Sequence, residues 1–347
     1  MADSTVGRRD FLRAGLAGAA VACAGAPAVA AIPKEKQITL LDGLPQRAFG
    51  KTGHTLPIFG HGGSAMIESD IDKYGLALTT VEERIKMVRY GYDQGIRYFD
   101  TARIYGESEG IMAEALHDVR DNVFLATKVM RFDAGEVRQS VEESLATLRT
   151  DYVDSMQIHG PVVERLGYDG CMPIFEELAK MREEGLIRFI GLTGHSRFDN
   201  MHALINSGNF DTLLIEFGYF KKGYNTRHSE KSVELRELCV ARAHELGMGI
   251  VAMKVMSAMI FGHNAPKVVP GYDTAALQRL PAAAIKWVLN DARVQILNLG
   301  VSMQSDIDAN IAIFRGDLKL ANEDRMLLAD FSAKAYENEY VQSLKVV

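Results

Sequence analysis

The sequence predicts an α/β protein: a closed (β/α)8 barrel of the TIM type, with an N-terminal β-hairpin capping its bottom and a final helix after the last unit. Three observations carry this. From Ile58 onward, short β-rich apolar runs alternate with longer amphipathic segments, the order that calls for a parallel sheet covered by helices. Those runs number eight, enough to close a barrel. No Gly/Ser/Pro-rich linker divides residues 45–340, so residues 45–347 read as one domain although 347 residues would by length alone allow about two.

The elements follow in chain order. Residues 1–30 read as an address: Arg8-Arg9 and Phe11-Leu12, an uncharged Ala/Gly/Val-rich stretch, and the small-residue site Ala28-Val29-Ala30. This layout resembles a twin-arginine export signal, with the export machinery as partner, cleavage after Ala30 and a periplasmic destination expected. A stable membrane anchor is not expected, because the run sits at the shortest length that spans a bilayer, about 17 to 20 residues, and is dominated by Ala and Gly. Residues 31–44 read as a linker. Gln46–Phe49 and Thr55–Ile58 flank Gly50-Lys51-Thr52-Gly53 and predict the hairpin.

The barrel strands are expected at Ile58–Gly62, Arg97–Asp100, Val123–Lys128, Tyr152–Ile158, Ile187–Leu192, Thr212–Glu216, Gly249–Met253 and Gln295–Leu299. Between them, Val81, Ile85 and Val88, and Val137, Val141, Leu145 and Leu148, recur at helical spacing. The longest irregular connection, 255–273, is the loop most suited to function. The final helix is expected from Glu323 to about Glu337.

Composition bounds the partners. A net charge of −6 and the absence of a basic patch beyond the N-terminus give no electrostatic footprint for nucleic acid. Cys23, Cys171 and Cys239 form neither a CxxC pair nor a disulfide framework. His54, His61, His195, His228 and His263 show no metal-ligand spacing, so no metal is expected. A small-molecule partner remains.

Four polar residues close or follow predicted strands: Asp100, Tyr105 in the loop after it, Lys128 and His159. In this fold catalytic groups gather at that C-terminal rim, and strands about 5 Å apart let the four side chains converge. A lysine ammonium beside a phenol stabilises the phenolate and makes the tyrosine a stronger acid, while a carboxylate holds the lysine in place. His159 can orient a carbonyl oxygen toward that acid.

These residues, with Tyr105-Gly106-Glu107-Ser108-Glu109, resemble the Asp/Tyr/Lys/His tetrad of the aldo-keto reductase family. The likeness extends to Phe49-Gly50-Lys51-Thr52-Gly53, Ile190-Gly191-Leu192-Thr193-Gly194-His195-Ser196, Ala252-Met253-Lys254, and Gly300-Val301-Ser302 with Asn310. It implies an oxidoreductase using NADP(H) or NAD(H) to reduce an aldehyde, ketone or sugar-like carbonyl, or the reverse, with Tyr105 as general acid/base. It also implies cofactor contacts from Thr193, Glu216, Lys254, Gly300, Ser302, Asp306 and Asn310.

Two departures stand out. Relatives place Asn and Gln against the nicotinamide carboxamide where this chain has Gly194 and Glu216. Asp306 stands near the expected 2′-position of the adenosine, where it would repel a phosphate and accept from a hydroxyl, so weak discrimination against NAD(H), or a preference for it, is expected. Two other readings compete: a catalytically silent, redox-sensing barrel that binds nucleotide, and a barrel enzyme using Lys128 as a Schiff base.

Overall fold

The computed structural model describes residues 36–66, 79–222 and 226–347; the export signal expected over residues 1–30 lies outside them. The strands in chain order are β1 (Gln46–Ala48), β2 (Thr55–Pro57), β3 (Phe59–Gly62), β4 (Tyr98–Asp100), β5 (Phe124–Val129), β6 (Val153–Ile158), β7 (Ile187–Gly194), β8 (Thr212–Glu216), β9 (Thr226–Arg227), β10 (Gly249–Met253), β11 (Ile296–Gly300) and β12 (Lys345–Val346). Eight of them close a barrel in the order β10-β11-β3-β4-β5-β6-β7-β8, every pair parallel. The fold is the (β/α)8 barrel that the alternation of elements predicts.

The hairpin β1–β2 closes the bottom because it delivers Phe49 into the barrel axis. The Phe49 ring is fully buried and meets Tyr98 and Phe124 edge to face at centroid distances of 5.9 and 5.3 Å. Leu56, Leu214, Val251 and Ile296 complete that layer. Gly249 is glycine for this reason: a Cβ there would lie 2.6 Å from the Phe49 ring. Phe49→Ala should cost about 3–5 kcal/mol, read as a lower urea midpoint; a loss below about 1 kcal/mol would show that the plug contributes little.

Three features differ from the sequence reading. Residues 36–44, read as linker, are tied to the barrel: the Lys36 ammonium donates to the carbonyls of Arg120 and Val123 at 2.8 and 2.5 Å, and Leu44 is buried. A lysine that finds backbone acceptors at the barrel bottom leaves no signature in composition. The helix Val81–Asp93 buries Arg84, Met87, Val88 and Gly91 while Val81 is 37% exposed. The buried stripe is rotated because Gly91 lets the helix approach Ile96 and His61, which lie 3.2 and 3.6 Å from the position its Cβ would take. The sequence does not predict the short parallel pair β9–β12, because two-residue strands have no periodicity to read.

The stripe Val137, Val141, Leu145 and Leu148 is buried along the helix Val137–Leu148; the helix expected after the last unit runs Asn322–Tyr336, and a short helix, Glu339–Ser343, follows it. The connection 255–273 contains a short helix, Ala265–Val268. Before it, the consecutive residues Ser257, Ala258 and Met259 all adopt left-handed backbone at φ 49°, 54° and 69°, a conformation that costs non-glycine residues roughly 1–2 kcal/mol each.

Alternation along the strands decides what faces the axis. Above the aromatic plug, Ser155 and Thr212 hydroxyls meet at 3.0 Å. One step further toward the C-terminal ends stand Asp100, Lys128, Gln157, Thr193, Glu216 and Asn298. The barrel is therefore apolar at its base and polar at its mouth.

Candidate active site

Asp100 ends β4, Lys128 lies in β5 and His159 directly follows β6, three neighbouring strands; Asp100 pairs with Ala126, two residues before Lys128, and Lys128 with Gln157, two residues before His159. Asp100 and Lys128 are each 2% exposed. The Lys128 Nζ donates to Asp100 Oδ1 at 2.5 Å and to the Thr101 carbonyl at 2.7 Å. Burial lowers the Lys128 pKa, and Asp100 opposes that shift. An ammonium held by a carboxylate and a carbonyl is a fixed charge rather than a nucleophile, which argues against the Schiff-base reading.

Tyr105 sits in a double turn after β4. Its N–H donates to the Ala102 carbonyl at 2.9 Å, its own carbonyl accepts from Ser108 N–H at 3.0 Å, and the Thr101 and Ser108 hydroxyls meet at 2.8 Å beneath it. The loop thus presents the half-buried ring to the mouth, with the Lys128 Nζ 5.0 Å from the ring centroid. The His159 ring stands edge-on, 5.9 Å from Tyr105. His159 directly precedes the helix Gly160–Glu183, which carries Pro161 in its first turn. Burial, with Lys128 nearby, pushes its pKa down to about 3, so the imidazole is neutral across the ordinary pH range. Its buried Nδ1 has no hydrogen-bond partner among the described residues.

Sequence reasoning missed Gln157. Its Nε2 donates to Asp100 Oδ2 at 2.8 Å, so both carboxylate oxygens are held. The signal was present in the alternation, since Gln157 shares a face with His159 two residues on. No motif in the sequence singles out His228. It packs against Glu216, with Nε2 2.5 Å from Oε1, and nothing in its irregular segment marks that contact.

The residues expected to hold a cofactor lie on the other arc of the rim, at the ends of β7, β8, β10 and β11, which are consecutive in the barrel. Thr193 and Glu216 are buried and face the mouth. Lys254 follows β10 with left-handed backbone, φ 60°. Gly300 ends β11, and Ser302 and Asn310 lie buried at and beyond the start of the helix Gln304–Arg315.

Asp306 is turned to a different task from the one expected. Its Oδ2 accepts from the Ser302 and Met303 N–H groups at 2.9 and 3.1 Å, capping that helix. Its Oδ1 meets His263 Nε2 at 2.9 Å, and this contact raises the His263 pKa. A carboxylate already capped and paired with an imidazole is a weak basis for repelling a 2′-phosphate, so the preference for NAD(H) argued from Asp306 loses its footing.

The mouth fits a nicotinamide group. Glu216 Oε2 and Asn298 Oδ1 are buried acceptors without hydrogen-bond partners among the described residues. Gly62 keeps the floor open, since a Cβ there would lie 3.3 Å from Asn298 Oδ1. His195, after β7, has its Nδ1 3.9 Å from Glu216 Oε2. Its pKa is pushed well below the usual range by burial, with Lys254, His159, Lys128 and His228 adding to the effect.

The sequence profile of the aldo/keto reductase family matches residues 73–267, more than half of the chain. L-galactose dehydrogenase of Arabidopsis thaliana is 26% identical over 310 residues, 83% of this chain and 93% of that protein. The uncharacterized oxidoreductase YqkF of Bacillus subtilis is 29% identical over 171 residues, 44% of this chain. That match spans only about half of the relative's length, 54%. Among solved structures, an aldo-keto reductase from Bacillus halodurans in its holo form superposes with a TM-score of 0.64 at 19% identity, over 83% of this chain and 96% of that one. At that identity the superposition speaks for the fold.

Proposed function

Because this chain belongs to the aldo/keto reductase family, we propose that it is an NAD(P)(H)-dependent oxidoreductase. It reduces an aldehyde, ketone or sugar-like carbonyl to an alcohol, or runs the reverse, with Tyr105 as the general acid/base. The observation that carries the proposal is the buried Lys128–Asp100 pair beneath the Tyr105 ring, with a neutral imidazole beside it. The sugar-like class draws support from the likeness to L-galactose dehydrogenase.

A nicotinamide cofactor, NADP(H) or NAD(H), bound across β7, β8, β10 and β11 would supply the hydride. Thr193 and Glu216 would hold its nicotinamide end, and Lys254, Gly300, Ser302 and Asn310 its phosphate-bearing part. His159, neutral, donates a hydrogen bond to the substrate oxygen and aims it at the phenol. Tyr105 gives its proton to that oxygen as negative charge develops there, and the Lys128 ammonium stabilises the phenolate left behind. Asp100, itself held by Gln157, keeps Lys128 charged and in place.

Titration of the purified protein with NADPH and NADH by fluorescence, followed by absorbance assays with a panel of aldehydes, ketones and aldoses, tests this reading. Saturable binding and carbonyl-dependent oxidation of the reduced cofactor are expected. Binding without turnover of any carbonyl would favour the silent nucleotide-binding barrel, and no binding would overturn both.

Residues 1–30 are proposed to direct export of the folded, cofactor-loaded protein to the periplasm through the twin-arginine machinery, on the strength of Arg8-Arg9 and Ala28-Val29-Ala30. Among the described residues no helix is long and apolar enough to cross a membrane. Arg8→Lys with Arg9→Lys should abolish periplasmic accumulation; unchanged accumulation would refute the assignment.

A further inference from the structure

We propose that Glu216 sets a negative charge against the nicotinamide end of the bound cofactor and thereby favours the oxidised, pyridinium form over the reduced one. This rests on the cofactor reading above.

Glu216 is the last residue of β8, inward-facing and 1% exposed. The hydride must reach a carbon whose oxygen lies at Tyr105 and His159, so the nicotinamide ring has to lie across the barrel mouth. The inward polar side chains on that side are Thr193, Glu216 and Asn298. A carboxamide brings N–H donors and one carbonyl acceptor, and an ionised carboxylate only accepts, so Glu216 is matched to the N–H side of the group. Its Oε2 has no hydrogen-bond partner among the described residues, and a buried acceptor left that way is costly. Thr193, paired across from Leu214 on β8, brings a hydroxyl that can donate to the carboxamide oxygen.

His228 and Ser232 stand behind Glu216. His228 Nδ1 lies 3.3 Å from the Ser232 hydroxyl, which can donate to it. His228 Nε2 lies 2.5 Å from Glu216 Oε1. Phe198 covers that imidazole, ring centroids 5.5 Å apart. On the other side His195 is kept neutral by burial, and Lys128 is already matched by Asp100. The ring that an ionised Glu216 would face is cationic when oxidised and neutral when reduced. In a partly buried site such a pair is far stronger than in water. The consequence is a more strongly donating reduced cofactor and a more tightly held oxidised one.

Titration of wild type and Glu216→Gln with NADP+, NADPH, NAD+ and NADH provides the test. The variant should lose at least tenfold, about 1.4 kcal/mol, in the ratio of oxidised to reduced affinity. A ratio unchanged within about threefold overturns the inference. A second measurement needs no variant: nicotinic acid adenine dinucleotide, which sets a carboxylate against Glu216, should bind wild type at least tenfold more weakly than NAD+, and equal binding within about twofold overturns the inference. If no nucleotide binds wild type, the functional reading falls with it. If all bind normally and neither expected difference is seen, only the role of Glu216 fails.

Discussion

Tyr105→Phe is expected to lower carbonyl turnover by about two to four orders of magnitude, the usual contribution of a positioned acid, while nucleotide affinity stays within about twofold of wild type. The ring's contacts explain the second half. Its edge-on packing with His159 and its place over Lys128 need the aromatic body and not the hydroxyl. Steady-state rates beside a fluorescence titration provide the check. Activity surviving within about threefold would show that another group delivers the proton.

His159 adds a pH condition to that result. Its folded pKa, about 3, lies below the unfolded value near 6.5. Between those values the unfolded state binds more protons, so this residue's contribution makes stability rise with pH through that window and level off above it. Activity between about pH 5 and 8 should accordingly show no limb that vanishes in His159→Asn.

Lys128→Met should be as damaging to turnover as Tyr105→Phe, about two to four orders of magnitude, and unlike it should also destabilise the fold. Removing the ammonium leaves the buried Asp100 carboxylate with Gln157 as its donor. Breaking a buried pair from one side costs about 3–5 kcal/mol. Asp100→Asn acts through Lys128 and should be the milder change in rate. Pairing Lys128→Met with Asp100→Asn should restore much of the urea midpoint without restoring activity. Recovery of both together would mean that Lys128 matters only for folding.

The barrel was legible because its signals are local and periodic. Thr212–Glu216 and Gly249–Met253 are strands with the bounds that apolar runs and turn residues predict. The line of Asp100, Lys128 and His159 was legible for a related reason. A repeat of about 30 residues is one βα unit, so charged residues recurring at that interval at the ends of apolar runs fall on neighbouring strands.

The eight-unit barrel, the hairpin under it and the polar residues crowded at the strand ends are thus all readable along the chain; each follows from patterns within one βα unit or from the repetition of that unit. The tertiary structure alone decided which groups hold those residues. Gln157 grips Asp100, His228 grips Glu216, Asp306 is drawn into a helix cap and a contact with His263, and Lys36 binds carbonyls 84 and 87 residues away. The physical reason is that hydrogen bonds between side chains from different units depend on register, barrel closure and the path of irregular loops. None of these leaves a periodic trace along the chain.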